Sequence, residues 1–165
     1  MHIHLAPLED KYESGCMAVF NEIVEEGLAF PSDKPLDVEA FRKKYPPNEP
    51  VWCAIDENDQ VLGYVHIRPN NVGRCSHTAN CGYSVTRNAR GKGIGRMLVT
   101  KSIEVAREEG YRGIQFNAVV STNEAAVALY RSVGFEIIGT VPGGFRQGSV
   151  EEPHYVDMYL MYLKL

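Results

Sequence analysis

The sequence contains no apolar run that approaches the roughly 20 residues a membrane-spanning helix needs. Its first residues, Met-His-Ile-His-Leu, lack the basic start and the apolar stretch of a secretory signal peptide. Basic residues are not in excess, because 17 Lys and Arg stand against 21 Asp and Glu, for a net charge of −4. We therefore expect a cytoplasmic protein that binds no membrane and has no general electrostatic affinity for nucleic acid.

Paired cysteines are also absent. The cysteines form no C-x-x-C pair, and no histidine cluster has the spacing of a zinc site, so we predict no metal. We interpret the cysteines as buried thiols in a reducing compartment. They are Cys16, Cys53, Cys75 and Cys81.

The composition is that of an ordinary globular protein, with 44% hydrophobic and 23% charged residues in a chain of 165. We predict a single domain over residues 1–165. Hydrophobic periodicity predicts a strand, two helices and an antiparallel meander, followed by the order strand, loop, helix, strand, helix, strand, strand. This order indicates an α/β protein of the α+β type, whose mixed sheet has helices on both faces.

The last third of the chain allows more detailed predictions. Ser121, followed three residues later by Glu124, has the capping-box signature of a helix start. The apolar face of that helix should be buried, and it comprises Ala126, Leu129, Tyr130 and Val133. The closing elements are predicted as a strand over 135–141, a turn or bulge over 142–144, a loop over 147–153 and a strand over 155–163.

A glycine-rich basic loop, residues 87–96, lies between a predicted strand and a long helix. Its glycines allow the backbone to approach a ligand, and the helix start adds unpaired N–H groups with a partial positive charge. Arg90, Lys92 and Arg96 add full charges, so the expected ligand is a pyrophosphate. A Walker A loop fails because Gly93 follows Lys92, and a G-x-G-x-x-G fingerprint fails because its third glycine would be Arg96.

The pattern that fits is [R/Q]-x-x-G-x-[G/A], formed by Arg90, Gly93 and Gly95. Downstream, residues 123–135 carry the string N-x-x-A-x-x-L-Y, closed by Gly-Phe. With both motifs in this order, the chain resembles the GNAT N-acetyltransferase superfamily over nearly its whole length. The resemblance implies a twisted, mostly antiparallel sheet of about seven strands, splayed between the fourth and fifth.

The resemblance also implies acetyl-CoA as co-substrate. In such proteins the pantetheine arm inserts between the splayed strands and contacts Asn123. Its backbone partners would be Tyr83, Ser84 and Val85. The pyrophosphate would be held by the backbone of Arg90, Gly91, Lys92, Gly93, Ile94, Gly95 and Arg96.

Tyr130 matches the tyrosine that the family places near the coenzyme sulfur. A phenol can protonate a departing thiolate, so the resemblance makes Tyr130 the general acid. The base is less defined, because residues 78–81 carry no carboxylate where several relatives have a glutamate. A water chain could act instead of a side chain, and the candidate side chains are His66, His77, Glu25, Glu26 and Asp157.

The acceptor site is expected between the first helix with its following loop and the last strands. The segment from Val19 resembles the phosphinothricin acetyltransferase branch, and residues 138–146 are similar to fungal proline-analogue acetyltransferases. The expected acceptor-site residues are Glu25, Glu26, Leu28, Phe30, Gly143, Gly144, Phe145 and Tyr155.

These observations predict acetyl transfer to the primary or secondary amine of a small molecule, an amino acid or an analogue, by direct attack in a ternary complex. No cysteine stands with a histidine and an acid, so an acyl-enzyme is not predicted. Two alternatives remain open: a protein or peptide N-acetyltransferase, and an acyl-CoA-binding sensor without catalysis. A homodimer through the closing strand is compatible with the sequence.

Overall fold

Seven strands and four α-helices make up residues 2–165, the part of the chain that this computed structural model describes. The strands are β1 (His4–Pro7), β2 (Val51–Ile55), β3 (Val61–Pro69), β4 (Thr78–Val85), β5 (Gly113–Val120), β6 (Glu136–Gly148) and β7 (Pro153–Lys164). The helices are α1 (Asp10–Glu26), α2 (Val38–Lys44), α3 (Ile94–Glu108) and α4 (Glu124–Ser132). Within residues 2–165, every helix is too short or too polar to cross a bilayer.

All seven strands join one sheet in the order β1-β2-β3-β4-β5-β7-β6. Every neighbouring pair is antiparallel except β4 and β5, which run parallel. The chain reaches β5 from β4 through α3, as a parallel connection requires. The predicted fold class, a mixed and mostly antiparallel sheet with helices, is confirmed.

The parallel pair is short. Only Thr78 with Gly113 and Ala79 with Ile114 are in register, and from Asn80 onward β4 has no ladder partner on the β5 side. On its other side β4 stays paired with β3 up to Val85. The splay predicted between the fourth and fifth strands is therefore confirmed, and it opens a gap inside an otherwise continuous sheet.

The two faces of the sheet carry separate apolar cores. In β3 successive side chains alternate, so that Tyr64 joins the core under α1 and α2 while Val65 and Ile67 join the core under α3. Each of these three side chains is at most 1% exposed. Helices therefore cover both faces; β3 contributes side chains to both cores, and β4 contributes Ala79 and Cys81 to the core under α3.

The cysteine prediction is correct for three residues and wrong for the fourth. Cys16, Cys53 and Cys81 are buried free thiols, whereas Cys75 is exposed. Cys75 lies on a single 3₁₀ turn, residues 73–75, that protrudes between β3 and β4 and has no buried residue.

The start of α4 differs from the capping-box prediction. Asn123, not Ser121, is the N-cap, and its Oδ1 accepts a hydrogen bond from the backbone N–H of Ala126 at 3.4 Å. Asparagine is itself a preferred cap and stands two residues nearer the helix. The backbone N–H of Ser121 instead donates to the carbonyl of Asp157 at 2.9 Å, which ties the loop to β7.

The expected burial of the α4 apolar face is also wrong in degree. Its residues pack against the core but stay half-buried, and α4 has no fully buried residue. The physical reason is the gap between β4 and β5, because part of that face lines open space instead of packed side chains.

The closing strands extend further than predicted. β6 continues to Gly148, through a register shift between Val141 and Phe145 that forms a bulge, so residues 147 and 148 belong to the strand. Asp157 on β7 accepts a hydrogen bond from the backbone N–H of Gly143 at 2.9 Å and so supports this bulge.

Candidate active site

Two cavities lie along the gap between β4 and β5 and share one wall. The loop cavity has a volume of about 560 Å³ and is bounded by the glycine-rich loop, α4 and the end of α1. The strand cavity has a volume of about 380 Å³ and is bounded by the diverging edges of β4 and β5, α2 and the loop after α1. The shared wall consists of Ala29, Phe30, Tyr83, Asn123, Ala126 and Tyr130.

The glycine-rich loop presents open backbone to the loop cavity. Gly91 and Gly93 have φ angles of 75° and 82°, and no atom lies within 4 Å of the position a Cβ would take on either. Gly93 is also the N-cap of α3, which has no side-chain cap, so the first-turn N–H groups remain available to a ligand. This end of the cavity is a cradle of backbone donors suited to an anion.

The charged side chains of the loop are already engaged. Arg90 donates to both carboxylate oxygens of Glu26 at 2.9 Å, and its Nε donates to the carbonyl of Val85 at 3.1 Å. Lys92 donates to the carbonyl of Asn88 at 2.9 Å, and Arg96 donates to the Ser132 hydroxyl at 2.9 Å.

The predicted loop residues therefore occupy three different places. Arg90, Gly91 and Gly95 line the loop cavity. Lys92 and Arg96 lie outside the wall of that cavity, and Ile94 is 1% exposed in the core under α3. Ile94 thus anchors the helix start from below and offers a ligand only its backbone.

The phenol of Tyr130 lies where the two cavities meet. Its ring packs against Phe116 at 4.6 Å between centroids and against Tyr83 at 5.7 Å. Its hydroxyl makes no hydrogen bond to any residue from 2 to 165. Burial, with a smaller contribution from Cys81, raises the pKa of Tyr130 above its ordinary value, so the phenol stays protonated.

The residues predicted to contact the pantetheine arm also line the two cavities. Tyr83 borders both cavities, and its hydroxyl is 2.7 Å from the Ser102 hydroxyl. Ser84 borders the strand cavity, and Val85 borders the loop cavity. Asn123 borders both while capping α4, so its structural role and its predicted ligand contact are compatible.

The strand cavity differs from the loop cavity in charge. Among residues 2–165, no aspartate or glutamate lines it, whereas Lys44 does. His66 lines it as well; burial, with smaller contributions from Arg68 and Lys44, lowers the pKa of His66 to about 3. His66 is therefore neutral at physiological pH.

Several residues predicted for the acceptor site, or as candidates for the base, lie elsewhere. Glu25 and Tyr155 are exposed and line neither cavity, and His77 is exposed on the surface. Asp157 is also exposed and supports the β6 bulge. The bulge residues Gly143, Gly144 and Phe145 line neither cavity. The physical reason is that β5 stands between β4 and the strands β6 and β7. Of β6, only Gln147 near its end lines the loop cavity.

Glu26, Leu28 and Phe30 do line a cavity. Glu26 and Leu28 border the loop cavity, and Phe30 borders both. Because two arginines, Arg87 and Arg90, pair with Glu26, this carboxylate lies at the loop end of the site, not in the strand cavity.

Sequence reasoning missed most of the strand cavity. Lys44, Tyr45, Asn80 and Asn117 line it, and they come from α2, from the residue after it, from β4 and from β5. They are distant in sequence and share no motif. The one signal in the sequence was the presence of polar side chains on β4 and β5. It indicates a cavity only when these two strands are known to diverge.

Comparison with known proteins finds acetyltransferases by sequence and by structure. The model of a family described as "Acetyltransferase (GNAT) family" matches residues 17–135. An L-methionine sulfoximine/L-methionine sulfone acetyltransferase of Pseudomonas paraeruginosa is 30% identical over 158 residues, which cover 92% of this chain and 88% of that protein.

Two further proteins extend the comparison. The N-acetyltransferase aca1 of Schizosaccharomyces pombe is 35% identical over 108 residues, or 66% of this chain, and the match spans about half (51%) of that longer protein. A solved GCN5-related N-acetyltransferase from Kribbella flavida superposes with a TM-score of 0.90 at 36% identity, covering 99% of this chain and 98% of that one.

Proposed function

Because this chain belongs to the GNAT family of acetyltransferases, we propose that it transfers an acetyl group from acetyl-CoA to the primary or secondary amine of a small molecule. The observation that carries this proposal is the meeting of two cavities at Tyr130, one ending at an anion cradle and the other enclosed by strands. Such a site can hold a phosphorylated donor and an amine acceptor at the same time.

The residues of the loop cavity fit acetyl-CoA, the acetyl donor of this family. The open backbone at Gly91 and Gly93 and the uncapped start of α3 would hold the pyrophosphate. Arg90 would add a positive charge if its guanidinium released Glu26, or if it bound the phosphate and Glu26 at the same time. Tyr83, Val85 and Asn123 would contact the pantetheine arm along the shared wall. The coenzyme supplies an activated acetyl group as a thioester.

Tyr130 would act as the general acid. It lies at the junction of the cavities, its hydroxyl has no protein partner among residues 2–165, and its raised pKa keeps the proton on the oxygen. A protonated phenol beside a departing thiolate can donate that proton, a contribution that is typically worth about 10²- to 10⁴-fold in rate. Direct attack by the amine requires no acyl-enzyme nucleophile.

The amine of the acceptor would lose its proton to water, because the strand cavity has no carboxylate from residues 2–165 that could act as the base. Glu26 is held by arginines at the other end of the site, and Asp157 supports the β6 bulge. The lowered pKa of His66 makes this imidazole a weak base. Asn80 and Asn117 both donate to Oδ1 of Asn70, at 2.9 and 2.6 Å, and this amide cluster provides polar groups that can orient water.

A small acceptor fits better than a peptide. The strand cavity measures about 380 Å³ and is lined on one side by residues 29–32, so its volume is that of a small-molecule site. The relative from Pseudomonas paraeruginosa is named for an acetyl acceptor that is a small amino-acid derivative. Peptide acetylation and acyl-CoA sensing without catalysis are the alternatives that the experiment must separate.

The test combines binding with turnover. Calorimetric titration with acetyl-CoA should give one-to-one binding, and a thiol-release assay should then show turnover with free amino acids or related amines. Short peptides with a free N-terminus or an internal lysine serve as the comparison. Turnover with peptides alone would replace the small-molecule assignment, and binding without thiol release from any amine would indicate a sensor.

Three further predictions accompany this function. We propose that residues 1–165 act as one domain, that the protein is cytoplasmic, and that it forms a homodimer. The closing strand β7, through which the dimer was expected, lies inside the sheet between β5 and β6. The structure instead supports a dimer at the edge strand β6, which carries exposed apolar residues such as Ile138 and Val141. Sedimentation of the purified protein would measure the oligomeric state directly.

A further inference from the structure

Lys44 is the last residue of α2 and places a half-buried ammonium group beside the strand cavity. Its Nζ lies 5.5 Å from the ring centroid of Phe20 and 5.9 Å from that of Tyr45. Both rings line the same cavity. The ammonium therefore lies near two aromatic rings, on the wall of the cavity that an acceptor would enter.

This charge has no counter-ion in the part of the chain that the structure describes. Among residues 2–165, no carboxylate lies within salt-bridge distance of Lys44, and none lines the strand cavity. Burial, followed by the nearby Arg68, lowers the pKa of Lys44 from its ordinary value of 10.5. The absence of a nearby carboxylate and the lowered pKa both indicate that no protein group from residue 2 onward neutralises the positive charge of the Lys44 ammonium.

Arg68 provides the contrast. Its Nε lies 2.9 Å from Oε2 of Glu49, and its Nη2 donates to the backbone carbonyl of Lys44 at 2.7 Å. The guanidinium is thus matched by a carboxylate and a carbonyl, and it holds the end of α2 in position. Of these two neighbouring cations, the one that faces the cavity is the one without an anion.

His66 adds an independent sign of an absent partner. Its side chain is nine-tenths buried and lines the strand cavity, and its Nδ1 is enclosed without a hydrogen-bond partner. The ring cannot move away easily, because it packs against Gly82 on one side and Tyr45 on the other. A buried polar atom without a partner is costly, which is expected where a ligand completes the site.

We infer that Lys44 binds the carboxylate of the acceptor, so that the substrates are amino acids and not simple amines. This inference rests on the proposed function and specifies its acceptor. Lys44 neutralises the carboxylate at one part of the strand cavity while the amine faces Tyr130, and His66 offers a second polar contact. Lys44 is then a specificity-determining residue, and no bond to it forms or breaks.

The alternative role for Lys44 is purely structural, as a cation near the carbonyl end of α2. Lys43 belongs to the same last turn and shares that role, but its side chain is exposed and lines neither cavity. Lys43→Met is therefore a matched control for Lys44→Met. Methionine keeps the length and apolar character of the lysine stem, so packing over Phe20 and Tyr45 is retained.

The experiment compares acceptors that differ only in a carboxylate. The pairs are L-methionine with 3-(methylthio)propylamine, L-phenylalanine with phenethylamine, and 4-aminobutanoate with propylamine. Thiol release gives kcat and KM for the wild type, Lys44→Met, Lys44→Arg and Lys43→Met. Calorimetry gives the affinity of each variant for N-acetyl-L-methionine and for acetyl-CoA, which provides a readout apart from turnover.

The expected result is a preference of the wild type for the carboxylate member of at least one pair. Lys44→Met should raise the KM for that acid about 10- to 100-fold and weaken N-acetyl-L-methionine binding equally, since a charge-assisted contact is lost. Turnover of the matched amine and acetyl-CoA affinity should not change. Lys44→Arg should restore most of the preference, and Lys43→Met should behave as the wild type.

Other results would overturn the inference. If the wild type has equal kcat/KM for acids and amines, or if Lys44→Met lowers kcat/KM equally for both, Lys44 does not bind the carboxylate. The proposed function would still stand. The same conclusion follows if Lys43→Met reproduces the effect. Thiol release with none of the acceptors would overturn the proposed function and, with it, the carboxylate contact.

Discussion

The loop cavity and the strand cavity share a wall but are built in opposite ways. The loop cavity takes its anion-binding elements from one short stretch, in which Arg90, Gly91 and Gly95 are near neighbours in sequence. The strand cavity collects Lys44, His66 and Asn117 from three separate elements. A fixed phosphate group can be bound by a local motif, because backbone N–H groups and a helix start do most of the work. An acceptor is recognised by side chains that only the fold brings together.

The cavities also differ in how their charges are compensated. Arg90 is paired with Glu26, so under the proposed function the loop cavity would exchange one anionic partner for another when a phosphate binds. Lys44 has no anionic partner among the residues from 2 to 165, so under the proposed carboxylate contact the ligand would bring the first anion into the strand cavity. The difference predicts that charge changes in the loop cavity have small effects and that changes in the strand cavity determine selectivity.

The largest expected effect is at the shared wall. Tyr130→Phe should reduce kcat about 100-fold, because the proton donor at the junction is lost. The affinity for acetyl-CoA should stay the same, because the ring keeps its packing against Phe116. Steady-state kinetics and calorimetry on the same preparations measure both quantities.

Tyr155→Phe is the matched control for this substitution. Tyr155 is 60% exposed and lines neither cavity, so the variant should keep the wild-type kcat. Unchanged turnover in Tyr130→Phe would reject Tyr130 as the acid. A loss in Tyr155→Phe would instead restore the acceptor-site role first predicted for that residue.

The next effect concerns the buried histidine of the strand cavity. The pKa of His66 in the folded protein, about 3, lies below its unfolded value near 6.5, so the unfolded chain binds the extra proton. Stability from this group is present above pH 6.5 and is lost as pH falls toward 3. Between pH 7 and 5 His66 should account for a loss of about 2 kcal/mol in the free energy of unfolding.

Urea unfolding at pH 7 and pH 5 tests this linkage. His66→Phe should show a smaller loss of stability between the two pH values than the wild type. His77→Phe, at an exposed position, should show the same loss as the wild type. An identical pH dependence in all three proteins would mean that His66 is not held neutral by burial.

The loop cavity should respond to a change in its backbone. Gly93→Ala places a side chain at φ 82°, which strains the start of α3 and displaces its first N–H groups. We expect the dissociation constant for acetyl-CoA to rise about tenfold, in line with the strain of about 1–2 kcal/mol for a non-glycine residue in this conformation.

Gly110→Ala separates strain from binding. Gly110 has the same φ, 82°, and also has open space around its Cβ position, but it lies beyond the other end of α3. It should destabilise the protein by a similar amount and leave acetyl-CoA affinity unchanged. Equal weakening in both variants would show that general destabilisation, not the anion cradle, controls binding.

The smallest expected effect is at Glu26. Glu26→Gln removes a partly exposed ion pair with Arg90 and frees the guanidinium, so acetyl-CoA should bind no more than about threefold tighter. The kcat should change by less than about twofold, since the structure places this carboxylate away from the strand cavity. Glu25→Gln, at an exposed neighbouring position, is the control. A collapse of kcat in Glu26→Gln alone would identify Glu26 as the base.

How far the sequence predicts this protein depends on how local each feature is. Periodicity predicts strands over 51–55, 78–85 and 113–120, and these are the observed bounds of β2, β4 and β5, because an apolar alternation is a property of a single strand. The start of α4 was predicted less well. Ser121 and Glu124 have the capping-box pattern, but the N-cap is Asn123, which lies closer to the helix. The turn or bulge predicted over 142–144 is present, but the sequence did not show that β6 continues beyond it to Gly148, since that continuation depends on pairing with β7.

The sequence by itself determined the strands of the sheet, the glycine-rich loop at the start of α3 and the position of Tyr130 on α4. Each of these follows from short-range rules, namely strand alternation, glycine-rich turns and helix periodicity, whereas the splay between β4 and β5 was expected only from the resemblance to the GNAT superfamily. Only the tertiary structure decided which side chains line the strand cavity, that β5 separates Tyr155 from the gap, and that Lys44 lines this cavity without a carboxylate partner among residues 2–165. The physical reason is that burial and charge compensation depend on neighbours brought together by folding, and these neighbours lie in sequence positions that no local pattern connects.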